Sequence, residues 1–367
     1  MTAMQARAPR LLLATGGSGG HVYPAVALAR AAITRGAEVL VLGTEGGMEE
    51  GMVADAGLTF SGVPAGKYDR QRPDPRAPFR SLAGVTRAIA LLRRWRPHLV
   101  MGFGGFAAFP GCAAALLTRT PLALHETNAV PGLVTRAFAR RARLVVVCQR
   151  EAAERLPRAN TRVVPFPVRE ERVARAAART TLGVPQEALL TLVMGGSQGS
   201  LALNRAIPRV SARVAELDER VWVLHATGPR WVSSVREEVG GRERYQVAGF
   251  VDASLAWSAA DLAITRGGYG TLAEAAYHGV PLIVVPLPSA ADDHQRHNAE
   301  ALERAGAGEC VPQGEEGELL EAWLALLDDD RRGAARRSQL ARSPAGGTET
   351  LLETVWPLLT DSRKAAR

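Results

Sequence analysis

The chain has 367 residues, 47% hydrophobic and 22% charged, which is long enough for two domains and too apolar for disorder. A formal charge of +8 points towards an anionic partner, yet only Lys67 and Lys364 of the 45 basic residues are lysine, so arginine-rich composition accounts for part of it. No apolar run reaches the roughly 18–20 residues of a membrane span, no export signal is expected, and three scattered cysteines (Cys112, Cys148, Cys310) exclude a disulfide framework and a cysteine zinc site. Short buried strands are predicted at Leu11–Ala14, Val39–Leu42, Leu99–Gly102, Leu122–Leu124 and Leu144–Val147, with amphipathic stretches between most of them. Pro165 and Pro167, in VVPFPVREE, read as a linker. Beyond it the alternation resumes at Leu190–Met194, Val221–Leu224, Tyr245–Ala248, Leu262–Thr265 and Leu282–Val285. Strands alternating with helices mean parallel sheets with right-handed crossovers, so the fold class is α/β.

The two halves open alike. LLLATGGSGG ends the first strand of one and LTLVMGGSQGS ends the first strand of the other, so Gly16, Gly17, Ser18 and Gly20 recur as Gly195, Gly196, Ser197 and Gly199. Two doubly wound domains facing a cleft, each with a glycine turn at its first strand–helix junction, explain the repeat. Such turns let backbone N–H groups and a helix N-terminus approach a phosphate. Neither is a Walker A loop, because no Gly-Lys-Ser/Thr follows. The first departs from a dinucleotide fingerprint at Val22, although Glu45 after the second strand keeps a nicotinamide reading open. A turn that only packs helix on strand is the plainer alternative.

A third segment, ITRGGYGTLAEAAYHGVPLIVVPLP, brings another glycine loop to a helix N-terminus, with Arg266 beside it. Glu274 falls early in that helix, where it can accept from two ribose hydroxyls or simply favour the helix dipole. Gln295 and Asn298 share a helical face and suit sugar hydroxyls. In LHETNAVPGL, a strand delivers His125, Glu126 and Asn128 to its C-terminal loop. His21 is a candidate general base because imidazole titrates near neutrality. No spacing suggests a metal site, and Asp328, Asp329 and Asp330 are expected to end a helix.

Five motifs in order (GGSGGHVYPAVALA, GFGGF…PG, HETN…GL, PVR with GGSQGS, and TRGGYGTLAEAAYHGVPLIVVPLP…DDHQRHNA) resemble the MurG family of peptidoglycan N-acetylglucosaminyltransferases, over about Leu11 to Gly308. The resemblance implies a GT-B fold. An N-terminal domain (1–166) would bind acceptor and membrane, a C-terminal domain (167–347) would bind donor, and a last helix (348–367) would pack back on the first domain. It also implies no cofactor, UDP-GlcNAc as donor, and undecaprenyl-pyrophosphoryl-MurNAc-pentapeptide (lipid I) as acceptor. Arg169 and the Val251 backbone would meet uracil, and Glu274 would hold the ribose. Ser197 with Tyr269, Gly270, Thr271, Leu272 and Ala273 would meet the diphosphate. Asn128 and Gln295 would read the sugar, Ser18, Gly19 and Gly20 would face it from the acceptor side, and His21 or Glu126 would take the acceptor proton. The chain departs from the family pattern at Thr127, Phe166, Tyr269 and His294, which leaves open a GT-B transferase for another nucleotide sugar or glycolipid.

Because lipid I lies in the cytoplasmic leaflet, peripheral docking on that anionic surface is expected. Phe79, Leu82, Val85, Ile89 and Leu92 recur at helical spacing, flanked by Arg76, Arg80, Arg87, Arg93, Arg94 and Arg96. An ordinary core-facing helix with a basic outer face fits the same spacing. No specific nucleic-acid binding is expected, since aromatics are 5% and no recognition module is present.

Overall fold

The computed structural model describes residues 8–66, 74–196, 198–290 and 293–360. The chain divides into two units: one runs to Val168 and resumes at Gly346, and the other spans Arg169–Ala345.

The first unit runs β1 (Arg10–Ala14), α1 (Gly19–Thr34), β2 (Glu38–Thr44), α2 (Met48–Asp55), β3 (Phe60–Val63), α3 (Ala77–Trp95), β4 (Leu99–Gly102), α4 (Phe109–Leu117), β5 (Leu122–Glu126), α5 (Leu133–Phe138), β6 (Leu144–Val147), α6 (Arg150–Glu154) and β7 (Thr161–Val163). Among the described residues its parallel sheet has the order β3-β2-β1-β4-β5-β6-β7. The period of two along β1 builds both faces of this core. Leu12 and Ala14 pack with Ala88, Leu92 and Cys112 on one side. Leu11 and Leu13 pack with Ala25, Leu28 and Ala29 on the other.

The second unit runs α7 (Arg175–Leu182), β8 (Leu189–Met194), α8 (Leu201–Leu217), β9 (Val221–Ala226), α9 (Val232–Val239), β10 (Tyr245–Ala248), α10 (Ala253–Ala259), β11 (Leu262–Thr265), α11 (Tyr269–His278), β12 (Leu282–Val284), α12 (His294–Arg304), β13 (Gly308–Cys310), α13 (Glu316–Leu327) and α14 (Asp329–Ala341). Its parallel sheet has the order β10-β9-β8-β11-β12-β13. In each sheet the opening strand, β1 or β8, lies where the strand order reverses, and the glycine turn leaves its C-terminal end. That switch point is where open α/β sheets bind ligands. The last helix, α15 (Gly347–Thr360), belongs to the first unit, where Leu351, Leu352, Val355 and Leu359 join the cluster around Leu28. Arg35 anchors it through an ion pair to Glu353 at 2.7 Å and by stacking over Trp356.

Two expectations need correction. The apolar stripe of α3 does not face outward along its length: Val85 and Leu92 are buried and Ile89 packs on the core, whereas Phe79 and Leu82 are 75% and 64% exposed. Close approach to the body at Gly84, whose Cβ would overlap the Pro64 carbonyl, turns the middle of the helix inward. The acid triplet ends α13, with Asp328 as its C-cap, but it also starts the next helix. Asp328 caps α14 by accepting from the Arg331 N–H at 2.9 Å, and Asp329 and Asp330 fill its first turn, the favourable end of the dipole.

Candidate active site

In the first unit the site residues gather where β1 meets α1. Gly16 and Gly17 take φ of +145° and +82°, which turns the chain sharply into α1. Ser18 is the N-cap residue of α1, but its hydroxyl is 2.9 Å from Nδ1 of His21 and makes no cap bond. Thr15 Oγ1 donates to the His21 carbonyl at 2.8 Å, fixing the backbone beneath the imidazole. The other wall is Gly104 and Gly105, at φ +84° and +71°; a Cβ on Gly104 would stand 3.2 Å from the His21 ring. His21 is therefore held on three sides while remaining half-buried beside half-buried Ser18 and Gly19 and exposed Gly20. Val22 is fully buried against Val41 and Val53, and Glu45 is ion-paired to Arg87 at 2.9 Å. Val22 thus packs in the core, and the Glu45 carboxylate is engaged by Arg87 on the surface.

Glu126 is corrected as a candidate base. It is 4% exposed; its Oε1 accepts from the Asn128 N–H at 3.0 Å and Nδ2 at 3.3 Å, and its Oε2 accepts from the Gly132 N–H at 2.9 Å and Thr135 Oγ1 at 2.7 Å. Four donors consume the carboxylate, so it shapes the 126–135 loop and positions Asn128. His125 is buried beside Phe103, and desolvation lowers its pKa to about 3, which keeps it neutral.

In the second unit, Gly196 and Gly199 take φ of +101° and +75°, and Ser200 caps α8 by accepting from the Leu203 N–H. A Cβ on Gly199 would overlap the Thr227 carbonyl, so this turn locks against the loop after β9. Ser197 lies outside the described residues. The third glycine segment delivers α11 with Gly268 as its N-cap and no side-chain cap on the leading amides of Tyr269, Gly270 and Thr271. Leu272 and Ala273 follow, both buried. Glu274 is half-buried, and Trp257 Nε1 donates to its Oε2 at 3.1 Å. Burial raises its pKa, while the Trp257 hydrogen bond and nearby Arg169 pull it down. Val251 is half-buried ahead of α10, whose N-cap Asp252 accepts from the Leu255 N–H at 3.0 Å.

Three residues of this unit do other work than the sequence suggests. Gln295 Oε1 accepts from the backbone N–H groups of Gly267 and Leu287 at 3.2 and 3.1 Å, leaving only its amide N–H pair for a sugar. Buried Asn298 donates to the Gly267 carbonyl at 3.0 Å and is a structural strut. Arg266 donates to Ser200 Oγ, the Val285 and Pro286 carbonyls and Gln313 Oε1, so it clasps three loops instead of reaching for a phosphate. A cavity of about 250 Å³ borders Trp257, but its Arg172 and Arg175 are already donating to the Tyr277 carbonyl and Asp261. Among the described residues no group of three or more His, Cys, Asp or Glu could hold a metal. Trp257 and Glu49, which binds the first glycine turn, escaped the sequence reading: each acts on residues far along the chain, and neither sits in a motif.

Two doubly wound parallel-sheet units, each led by a glycine turn at its switch point, make the GT-B fold used by glycosyltransferases. Residues 11–147 match the glycosyltransferase family 28 N-terminal domain and residues 190–350 its C-terminal domain. A Deinococcus deserti UDP-N-acetylglucosamine–N-acetylmuramyl-(pentapeptide) pyrophosphoryl-undecaprenol N-acetylglucosamine transferase is 44% identical, covering 94% of this chain and 97% of its own. The Thermus thermophilus protein of the same name is 43% identical, covering 94% and 98%. The crystal structure of Acinetobacter baumannii MurG matches at a TM-score of 0.74 and 27% identity, over 95% of this chain and 99% of that one. The chain belongs to the MurG family of glycosyltransferases.

Proposed function

We propose that this protein transfers N-acetylglucosamine from UDP-N-acetylglucosamine to the 4-hydroxyl of the muramoyl sugar of lipid I, giving lipid II and UDP with inversion at the anomeric carbon. The relatives' shared name supports the reaction, and one observation carries the donor half. Glu274 is a half-buried carboxylate early in the helix that follows a glycine loop, with one oxygen oriented by the Trp257 indole. A carboxylate so held suits the two adjacent hydroxyls of a ribose.

In this reading Arg169 and the Val251 backbone meet the uracil, and the leading amides of α11, from Tyr269 to Thr271, meet the diphosphate with Ser197, while Leu272, whose N–H donates to the Gly268 carbonyl at 3.2 Å, and Ala273 shape the turn behind them. As the bond between anomeric carbon and diphosphate oxygen breaks, its electron pair leaves on UDP. The growing charge is met by preorganised N–H groups and the positive end of α11. The muramoyl oxygen forms the new bond from the opposite face and gives its proton to His21. In the tautomer that donates Nδ1–H to Ser18 Oγ, 2.9 Å away, Nε2 is the basic nitrogen of that imidazole. Asn128 contacts the sugar through its remaining carbonyl oxygen, Gln295 through its amide N–H groups, and Ser18 to Gly20 line the acceptor side.

No helix among the described residues is long and apolar enough to cross a membrane. Docking on the anionic cytoplasmic leaflet is assigned to the start of α3, where exposed Phe79 and Leu82 lie among exposed Arg76 and Arg80. The donor half is tested by calorimetry with UDP-N-acetylglucosamine and its 2′-deoxyribose analogue. The expected result is about tenfold or more weaker binding of the analogue, as for one lost hydrogen bond to a charged acceptor. Equal affinities would remove Glu274 from the ribose.

A further inference from the structure

Glu49, in the first turn of α2, is 1% exposed, although no motif marks it. Its Oε1 accepts from the Thr44 N–H at 2.7 Å and its Oε2 from the Gly17 N–H at 3.3 Å. Both bonds run out of its own helix, one to the end of β2 and the other to the glycine turn after β1, so it does not serve as a cap. Around it three chain segments give up their side chains. A Cβ on Gly16 would overlap Oε1, one on Gly43 would stand 2.7 Å from Cγ, and one on Gly47 would stand 2.7 Å from Cδ. The carboxylate is held in place by its two backbone donors and by the positive end of α2. It also occupies the Gly17 amide, so that N–H serves the protein and not a phosphate.

We propose that Glu49 is a positioning residue for the reaction, tethering the first glycine turn and through it the base His21. Gly17 leads directly into Ser18, whose hydroxyl fixes His21 Nδ1, so the angle of the turn sets where the imidazole points. The site requires a carboxylate, because both partners are donors. A glutamine can accept from only one of them and must turn its own N–H groups on the other. The inference rests on the assignment of His21 and the Ser18–Gly20 turn to the acceptor side.

The test compares Glu49→Gln, Glu49→Asp, His21→Ala and the double variant Glu49→Gln/His21→Ala. Steady-state kinetics use UDP-N-acetylglucosamine and a short-chain lipid I analogue, with amide hydrogen exchange read over the first unit. In Glu49→Gln, kcat should fall about tenfold, the rate equivalent of one lost hydrogen bond. The KM for the acceptor should rise and the KM for the donor should stay unchanged. Faster exchange should be confined to Gly17–Gly20, and Glu49→Asp should recover part of kcat. The double variant should be no slower than His21→Ala, since a residue acting through His21 has nothing left to position. Multiplied losses in the double variant, or faster exchange spread through the whole unit with kcat intact, would overturn the proposal. Full turnover in His21→Ala would instead refute the role given to His21, while exchange at Gly17–Gly20 in Glu49→Gln still reports on the tether.

Discussion

Glu274 shows how burial turns a common side chain into a selective one. Its half-buried carboxylate is more easily protonated than an exposed one, although Trp257 and Arg169 oppose this. Ionised, it is a strong acceptor for two hydroxyls, and its replacement by alanine should weaken UDP-N-acetylglucosamine binding by about 1.5–3 kcal/mol. The sign of the pH dependence follows. In the proposed ribose contact the deprotonated group is the acceptor, so affinity should be full above its pKa and fall as pH drops through it, beginning above the usual carboxylate range. Calorimetry across that range should show the fall in the parent protein and a flat profile in Glu274→Gln; a fall of equal size in both would assign the titration to another group.

Glu274 stood out in the sequence because a glycine loop, a helix and an acid at fixed spacing form a local pattern. Glu126, Gln295, Asn298 and Arg266 stand in equally visible motifs, but their partners decide what they do. Glu126 turned from base to loop anchor because it meets Thr135 and Gly132 as well as its neighbour Asn128. Gln295 and Arg266 became clasps because Leu287, Val285, Pro286 and Gln313 converge on them. Residue type predicted hydrogen-bonding capacity, and only the fold showed which of that capacity was already used.

At the scale of elements, the buried strands were the readable part, since β1, β2, β4, β5, β6 and the four strands β8, β9, β11 and β12 are apolar runs enclosed on both faces. The strands that escaped, β3, β7 and β13, are three of the four edge strands; the fourth, β10, was read at Tyr245–Ala248. Their sequences, Phe-Ser-Gly-Val, Thr-Arg-Val and Gly-Glu-Cys, carry little apolar signal because an edge buries less. Helix α3 was ambiguous for a different reason. One 3.6-residue period serves a core contact and a lipid contact equally well, and here the helix uses both: its middle faces the core and its first turns face solvent. Phe79→Ser with Leu82→Ser should therefore reduce sedimentation with anionic vesicles several-fold, at about 1 kcal/mol or more for each lost apolar insertion. Turnover on a soluble short-chain acceptor should be unchanged. Equal losses on vesicle-borne and soluble acceptors would make these residues part of the fold or site, and undiminished vesicle binding would place the docking surface elsewhere.

For the whole molecule, one plan is used twice: a parallel sheet whose opening strand sits at the order reversal and releases a glycine turn. The repeat in the sequence exposed that plan, and the apolar period of 348–359 marked the helix that returns to the first unit. The units differ in what their turns carry: the first presents an imidazole clamped by Ser18 and two glycines, and the second a helix start with no side-chain cap followed by a half-buried carboxylate. In the proposed function, proton removal falls to one unit and leaving-group and nucleoside binding to the other. The most direct measurement is UDP release from UDP-N-acetylglucosamine, followed with and without a short-chain lipid I analogue. The account predicts release that depends on the analogue, matched one-for-one by a disaccharide product of inverted anomeric configuration, and largely lost in His21→Ala. UDP release that is indifferent to the analogue, or a product of retained configuration, would contradict it.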